Sequence, residues 1–292
     1  MKSGFVSIIG RPNVGKSTLL NSILNQKIAI ISDKPQTTRN KIQGVYHEED
    51  LQIVFIDTPG IHKPKHRLGK HLNASAYHSI EEVDVVLFLI DITESLGRGD
   101  KFVINKLREV NKPVILVLNK IDKIKKEMIL PKIEEYRNLY DFDAIVPLSA
   151  LKKDNISRLI EVIKKYLTDT IEYYKKDEVN SLSKEFMLAE LVREKVLIFT
   201  SEEVPHAVTC LVEKIEEKID IAYLNVLIIV DRENLRKIII GKKGQKIKQI
   251  GIEAREEIEK YLKKKVYLKL YVKVFPKWRD KIKTLNDLGF KI

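Results

Sequence analysis

The sequence predicts an α/β domain built on a mostly parallel sheet, followed by a smaller α+β domain. Two observations favour this fold class. Short apolar runs alternate with amphipathic helical patterns in the first half, and the order of elements changes after a polar stretch near residue 175. Strands that alternate with helices at this spacing form parallel sheets with helices on both faces. The predicted boundaries are 1–172 for the first domain, 173–183 for a linker and 184–292 for the second domain.

Each domain has its own order of elements. The first domain is predicted to contain an edge strand at Ile42–His47 and the buried strands Phe5–Ile9, Leu51–Ile56, Val85–Ile90, Pro113–Leu118 and Ala144–Pro147. Its predicted helices are Lys16–Asn25, Leu68–Val83, Asp100–Val110, Ile129–Tyr140 and Asn155–Leu167. The second domain follows the order α-β-β-α-α-β, with helix Lys184–Val196, strands Ala207–Val212 and Ala222–Val230, two helical segments hinged at Gly241–Gly244, and strand Val266–Val274.

Composition narrows the class of protein. The chain has 292 residues and a net charge of +12, which favours a polyanionic partner: nucleic acid, a nucleotide or an anionic membrane surface. Its single cysteine, Cys210, excludes an internal disulfide and a multi-cysteine metal site, and it fits a reducing cytoplasm. The longest strongly apolar run, Val85–Ile90, is far too short to span a bilayer.

The strongest motif follows the first predicted strand. Gly10–Ser17 fits G-x-x-x-x-G-K-S between a strand and a helix, which is the context of a phosphate-binding loop. Backbone N–H groups and the helix N-terminus would surround phosphate oxygens, Lys16 would bridge the β- and γ-phosphates, and the Ser17 hydroxyl would bind Mg²⁺. The candidate nucleotide-binding residues here are Gly10, Arg11, Pro12, Asn13, Val14, Gly15, Lys16, Ser17 and Thr18.

Three further motifs each follow a predicted strand. Asp57 can hold Mg²⁺ through a water, and the Gly60 N–H can sense the γ-phosphate. The Asp122 carboxylate can accept N1–H and the N2 amine of guanine, which adenine cannot offer, so the site selects GTP. Ser149-Ala150 can supply backbone N–H to guanine O6. The candidate residues are Asp57, Thr58, Pro59, Gly60, Asn119, Lys120, Ile121, Asp122, Ser149 and Ala150.

With these motifs in order, residues 1–172 resemble a Ras-like P-loop GTPase of the translation-factor-related class. Gln36–Asn40 resembles the Thr-Thr-Arg switch I motif of the Era and tRNA-modification GTPases. The resemblance implies Thr38 as the Mg²⁺-coordinating threonine, with Thr37 as the alternative. The implied metal ligands are Ser17, Thr38 and Asp57, and the implied catalytic residues are Lys16, Thr38, Gly60 and Asn13.

Two positions bear on hydrolysis. Ile61 stands where Ras-like enzymes usually carry a water-positioning glutamine, so we expect slow intrinsic hydrolysis. Asn13 resembles the asparagine of potassium-activated GTPases, which implies a K⁺ ion beside the phosphates. A turn-capping role for Asn13 is the alternative.

The second domain contains Ile-Gly-Lys-Lys-Gly between two helices, within an element order that resembles a type II KH domain over about residues 200–275. The two glycines allow a sugar-phosphate backbone to approach, and the lysines add charge. Tyr267 and Tyr271 alternate with lysines and could stack on bases, or could simply occupy an exposed strand face. The candidate RNA-binding residues are Ile240, Gly241, Lys242, Lys243, Gly244, Lys246, Ile247 and Lys248.

The combination of both domains is similar to the Era family of bacterial GTPases. The resemblance implies a monomeric cytoplasmic switch that binds the 3′ end of 16S rRNA and acts in 16S rRNA maturation and 30S ribosomal subunit biogenesis. The alternative is a peripheral membrane-associated regulator of cell cycle or metabolism. Residues 235–292 carry 18 basic and 6 acidic side chains, which favours RNA at the KH half.

Overall fold

The computed structural model describes residues 1–34, 36–61, 64, 66–176 and 178–290, and the chain divides into two compact units. The first unit comprises Met1–Ala29, Thr38–Pro64 and Gly69–Ser181. The second comprises Ile30–Thr37, Lys65–Leu68 and Leu182–Ile292.

A six-stranded sheet forms the centre of the first unit. Its elements are β1 (Lys2–Ile9), α1 (Lys16–Leu24), β2 (Ile42–Glu48), β3 (Leu51–Asp57), α2 (Arg67–Glu81), β4 (Val85–Asp91), α3 (Arg98–Leu107), β5 (Val114–Asn119), α4 (Ile129–Arg137), β6 (Ala144–Pro147) and α5 (Ile156–Tyr166). The strand order is β2-β3-β1-β4-β5-β6; β2 is antiparallel to β3, and the other neighbouring pairs are parallel. The mostly parallel fold and the added edge strand are confirmed.

Register places the motif-bearing strand ends at one edge of this sheet. Ile8 of β1 pairs with Asp57 of β3, and Asp91 of β4 pairs with Asn119 of β5. Every residue of β3, β4 and β5 is buried, because helices cover both faces of a parallel sheet. The polar groups that follow these strands therefore meet at the carboxyl edge, where α/β sheets bind ligands.

The second unit has a three-stranded sheet. Its elements are α6 (Lys184–Phe199), α7 (Val204–Ala207), β7 (Thr209–Glu217), β8 (Ile221–Val230), α8 (Glu233–Ile240), α9 (Gln245–Leu262), β9 (Lys265–Val274) and α10 (Ile282–Asp287). The central strand β8 is antiparallel to β7 and parallel to β9. The predicted α-β-β-α-α-β order is confirmed, with the short helices α7 and α10 as additions.

The segment after β9 is folded. Trp278 is fully buried, its Nε1 donates to the Ala207 carbonyl at 3.0 Å, and its ring stacks on Phe290 with centroids 6.2 Å apart. Arg279 forms a 2.6 Å ion pair with Asp231. These contacts join residues far apart in sequence, so hydrophobic periodicity gave no sign of them.

A buried arginine of α6 contacts the backbone of Thr37, which belongs to the same unit. Arg193 on α6 is fully buried and bonds the Glu190 carboxylate through Nε and Nη2, both at 2.6 Å. Its Nη2 also donates to the Thr37 carbonyl. Burying a guanidinium is costly unless its donors are satisfied, and Nη1 has no hydrogen-bond partner among the described residues. The bonds of Nε and Nη2 therefore offset only part of that cost, and the bond from Nη2 fixes the position of the Thr37 carbonyl.

Candidate functional site: a phosphate loop, a base-recognition edge and a glycine hinge

Lys16 lies inside the loop that joins β1 to α1. Its side chain is buried, and Nζ donates to the Arg11 carbonyl at 2.8 Å and the Gly10 carbonyl at 3.3 Å. Burial lowers the pKa of Lys16 to about 8, an effect opposed by the nearby Asp57 carboxylate. The ammonium is thus desolvated and held by carbonyl dipoles. Phosphate oxygens would be stronger partners for it than these carbonyls.

Three side-chain oxygens converge beside Lys16. The Ser17 hydroxyl donates to Asp57 Oδ2 at 2.6 Å, and Thr38 Oγ1 lies 2.8 Å from Ser17 Oγ and 3.2 Å from Asp57 Oδ2. Asp57 is fully buried, which raises its pKa despite the opposing charge of Lys16. Its Oδ1 is buried and has no hydrogen-bond partner among the described residues. An all-oxygen cluster with an unsatisfied carboxylate oxygen fits a hard cation such as Mg²⁺.

The structure distinguishes the two switch I threonines. The Thr37 hydroxyl donates to the Lys34 carbonyl at 2.7 Å, so it faces its own loop. The Thr38 hydroxyl is the one that reaches Ser17 and Asp57. This geometry favours Thr38 over Thr37 as a metal ligand.

The loop after β3 lies against the phosphate loop. The Ile61 N–H donates to the Gly10 carbonyl at 3.2 Å, and a side chain at Gly60 would collide with Pro12. Ile61 is 3% exposed, packed with the core beneath β1. Its side chain is therefore turned into the protein and is unable to orient a water molecule.

Asn119 connects the base-recognition edge to the phosphate loop. Its Nδ2 donates to the Val14 carbonyl at 2.8 Å, while its Oδ1 accepts the N–H groups of Lys120 at 2.8 Å and Ala150 at 2.9 Å. The Ser149 N–H donates to the Asp154 carbonyl at 3.2 Å. The N–H groups of Ser149 and Ala150, which were predicted to donate to guanine O6, thus already donate to acceptors within the protein. A bound guanine O6 would share these donors with those acceptors.

Asp122 is exposed at the same edge, and its Oδ1 accepts the Ser149 hydroxyl at 2.5 Å. The Asp122 carboxylate is exposed and can accept further hydrogen bonds, so a guanine edge could bind to it. The hydroxyl bond would orient the carboxylate in advance of a bound base.

Two ion pairs near these loops were not predicted. Asp91 at the end of β4 binds Lys120 Nζ at 2.5 Å, and that ammonium also donates to the Asn13 carbonyl at 2.9 Å. Burial alone would raise the Asp91 pKa, but the bonds from Lys120 and Thr93 lower it. The position of Asp91 at a strand end was the only signal in the sequence.

The second pair concerns Arg11. Its guanidinium binds Asp100 at 2.8 Å and also pairs with Glu94. In this arrangement its charge is directed at acidic side chains rather than at a phosphate.

The glycine hinge of the second unit joins α8 to α9. Lys242, Lys243 and Lys248 are exposed, whereas Ile240, Lys246 and Ile247 are half-buried. The core of this unit instead contains Ile239 and Ile250, which are fully buried. Ile239 and Ile250 therefore support the hinge from the core rather than from its exposed surface.

The two hinge glycines have different reasons to be glycine. Gly241 has φ of 73°, and a Cβ there would collide with Lys246 Cβ. Gly244 has φ of 75°, yet a Cβ would meet nothing within 4 Å. The space above Gly244 is open, as the approach of an extended RNA backbone requires.

This fold and these sites define a class: a P-loop GTPase joined to a KH domain. A family model described as 50S ribosome-binding GTPase matches residues 5–120, and a KH-domain model matches residues 203–279.

Two solved structures match the entire chain. Era in complex with MgGDPNP and nucleotides 1506–1542 of 16S ribosomal RNA is 44% identical, with a TM-score of 0.96 and 100% of both chains covered. A variant of Aquifex aeolicus Era bound to GDP and AlF4⁻ is also 44% identical, with a TM-score of 0.95 and the same coverage. The chain belongs to the Era family of GTPases. Among the residues that the structure describes, no helix has the length and apolar character needed to cross a bilayer.

Proposed function

We propose that this GTPase hydrolyses GTP to GDP and phosphate, binds the 3′ end of 16S rRNA through its KH domain, and acts in 16S rRNA maturation and 30S subunit biogenesis. The observation that carries the proposal is the full-length match to Era bound to MgGDPNP and 16S rRNA. The phosphate loop and the open Gly244 hinge support each half of it.

The residues of the first unit have separable roles in the proposed reaction. Lys16 neutralises the β- and γ-phosphates, and the loop N–H groups bind their oxygens. Asp122 accepts the guanine edge, and Asn119 holds the base-binding and phosphate loops together. Ser17, Thr38 and Asp57 would hold Mg²⁺, which when bound neutralises charge between the β- and γ-phosphates.

Water activation has no side-chain base among these residues. Ile61 is buried, so the attacking water is oriented by backbone groups or by a partner, and intrinsic hydrolysis is slow. We propose that a K⁺ ion beside the phosphates, held in part by Asn13, supplies additional positive charge during hydrolysis. The φ of 66° at Asn13 places this residue at the bend of the phosphate loop.

RNA binding by the hinge is tested with a matched pair of variants. Gly244→Asp and Gly289→Asp each place a carboxylate at a positive-φ glycine with open space around it. We expect Gly244→Asp to weaken binding of an RNA containing nucleotides 1506–1542 at least about tenfold, because charge and bulk oppose the phosphates. Gly289→Asp should bind like the parent chain. Equal RNA affinities for both variants would refute a role for the hinge.

We place this activity in the cytoplasm, with the chain acting as a monomer. A peripheral membrane role is tested with the same two variants on vesicles that contain anionic lipid. Vesicle binding that survives Gly244→Asp would assign lipid contact to a different surface.

A further inference from the structure

The outer face of the β7-β8-β9 sheet carries exposed aromatic side chains over part of its surface, whereas Leu227 and Ile229 of β8 on the same side are buried. The inner face packs on the helices, and Ala222, Leu224 and Val226 of β8 are fully buried there. The alternate residues point outward, and three of them are tyrosines: Tyr223 is 37% exposed, Tyr267 52% and Tyr271 44%. The Gly241–Gly244 hinge lies between α8 and α9, outside the three strands that form this surface.

Strand register sets the spacing of these rings. Tyr223 of β8 pairs with Tyr267 of β9, and their rings lie 5.8 Å apart at 53°. Tyr271 lies four residues further along β9, about 13 Å away at the rise of a strand. Its neighbours across the sheet are Leu227 and then Leu211, so Tyr271 belongs to an apolar cross-strand row.

Lysines are interleaved with the rings. Lys269 lies between Tyr267 and Tyr271 on the same face, and its ammonium is 5.6 Å from the Tyr267 ring centroid. Lys218 lies 5.4 Å over the Tyr223 ring. Lys214 and Lys273 are also on this face but are paired with Glu216 and Glu213. Rings with ammonium groups beside them complement the bases and phosphates of a single strand.

The hinge accounts for only part of a long RNA. A KH loop clamps about four nucleotides. The RNA proposed as the ligand of this chain is longer, so most of it must lie elsewhere. The exposed tyrosine rings and nearby lysines of this sheet belong to the same unit as the hinge. They are suited to bind the rest of the RNA, because bases of any identity can stack on tyrosine.

We propose that the outer sheet face, formed by Tyr223, Tyr267, Lys269 and Tyr271, is a second RNA-binding surface that stacks unpaired bases beyond those bound at the Gly241–Gly244 hinge. This inference rests on the proposed function, since it requires that the chain bind 16S rRNA. It extends that function by assigning contacts to a face that the KH loop does not include.

The experiment compares a long and a short RNA on the full chain. The probes are fluorescent RNA of nucleotides 1506–1542 and a single strand of four nucleotides that fills the hinge alone. The variant is the double substitution Tyr267→Ala with Tyr271→Ala, and the matched control is Tyr267→Phe with Tyr271→Phe, which keeps the rings. Tyr267 and Tyr271 are both exposed, so both double variants should fold normally. A thermal melt and the GTPase rate check that they do.

We expect the alanine variant to bind the long RNA at least about fivefold more weakly per ring lost, with short-RNA affinity unchanged and with the phenylalanine variant near the parent value. Equal long-RNA affinity in parent and alanine variant would overturn the inference. Equal losses on both RNAs would also overturn it, because the effect would then belong to the hinge.

Two further outcomes separate this inference from its premise. If the parent chain binds neither RNA, the proposed function fails rather than the sheet-face assignment alone. If the alanine variant binds the RNA normally but loses binding to purified 30S particles, the face contacts a ribosomal protein, and RNA occupancy is refuted.

Discussion

The Asn119 side-chain amide donates to the Val14 carbonyl at 2.8 Å, across 105 residues of sequence. Through this bond the loop that we propose to recognise the base supports the loop that we propose to bind the phosphates. The nucleotide site is therefore a connected structure rather than two adjacent ones.

Asn119→Ala should loosen that connection. It leaves the Val14 carbonyl and the N–H groups of Lys120 and Ala150 without their partner, which costs about 1–3 kcal/mol for each buried group left unsatisfied. We expect a lower melting temperature and at least about tenfold weaker binding of a fluorescent GDP analogue. Asn111→Ala, at an exposed asparagine, is the control. Unchanged nucleotide affinity in Asn119→Ala would contradict the connection.

Asp122→Asn should change base preference. An amide offers one acceptor atom where the carboxylate offers two to the paired donors of guanine, but its NH2 group can donate to the C2 carbonyl of xanthine. We expect weaker GTP binding and stronger XTP binding, measured as dissociation constants on the same preparation. If GTP affinity is retained, the carboxylate is not the group that reads the base.

The pKa of Lys16 makes nucleotide affinity depend on pH. Burial lowers this pKa to about 8, whereas bound phosphates would raise it again. Well below pH 8 the Lys16 side chain of the free protein is already protonated, so nucleotide affinity should not change with pH there. Above pH 8 the ammonium must gain a proton on binding, so GDP affinity should fall.

Titration calorimetry at pH 8.5 in buffers of different ionisation enthalpy measures that proton uptake. Lys16→Arg keeps its charge at this pH and should show no uptake from this position. Proton uptake that is identical in the two proteins would show that another group is responsible.

Potassium should accelerate hydrolysis if Asn13 helps to hold a cation. We expect faster single-turnover GTP hydrolysis in KCl than in NaCl at equal ionic strength. Asn13→Gly removes the side chain and tolerates the φ of 66°, so it should abolish the difference without straining the loop. Equal rates of the parent protein in both salts would refute this role.

Much of the fold could be read from local patterns. The strands of the first unit were predictable because each is a continuous apolar run, and every residue of β4 is indeed buried. The phosphate loop and the Gly-Lys-Lys-Gly hinge were predictable because their chemistry requires specific residues at adjacent positions. The burial of Trp278 could not be predicted, since its partner Ala207 lies 71 residues away.

The sequence by itself determined which loops we propose to bind a nucleotide and RNA, because those motifs lie within a few consecutive residues. Only the tertiary structure decided that Thr38 rather than Thr37 faces Ser17, and that Arg193 holds the Thr37 backbone. It also decided that Asp91 binds Lys120, and that three tyrosines share one open sheet face. The physical reason is that hydrogen bonds, ion pairs and shared faces depend on where side chains meet in space, which strand register and packing set.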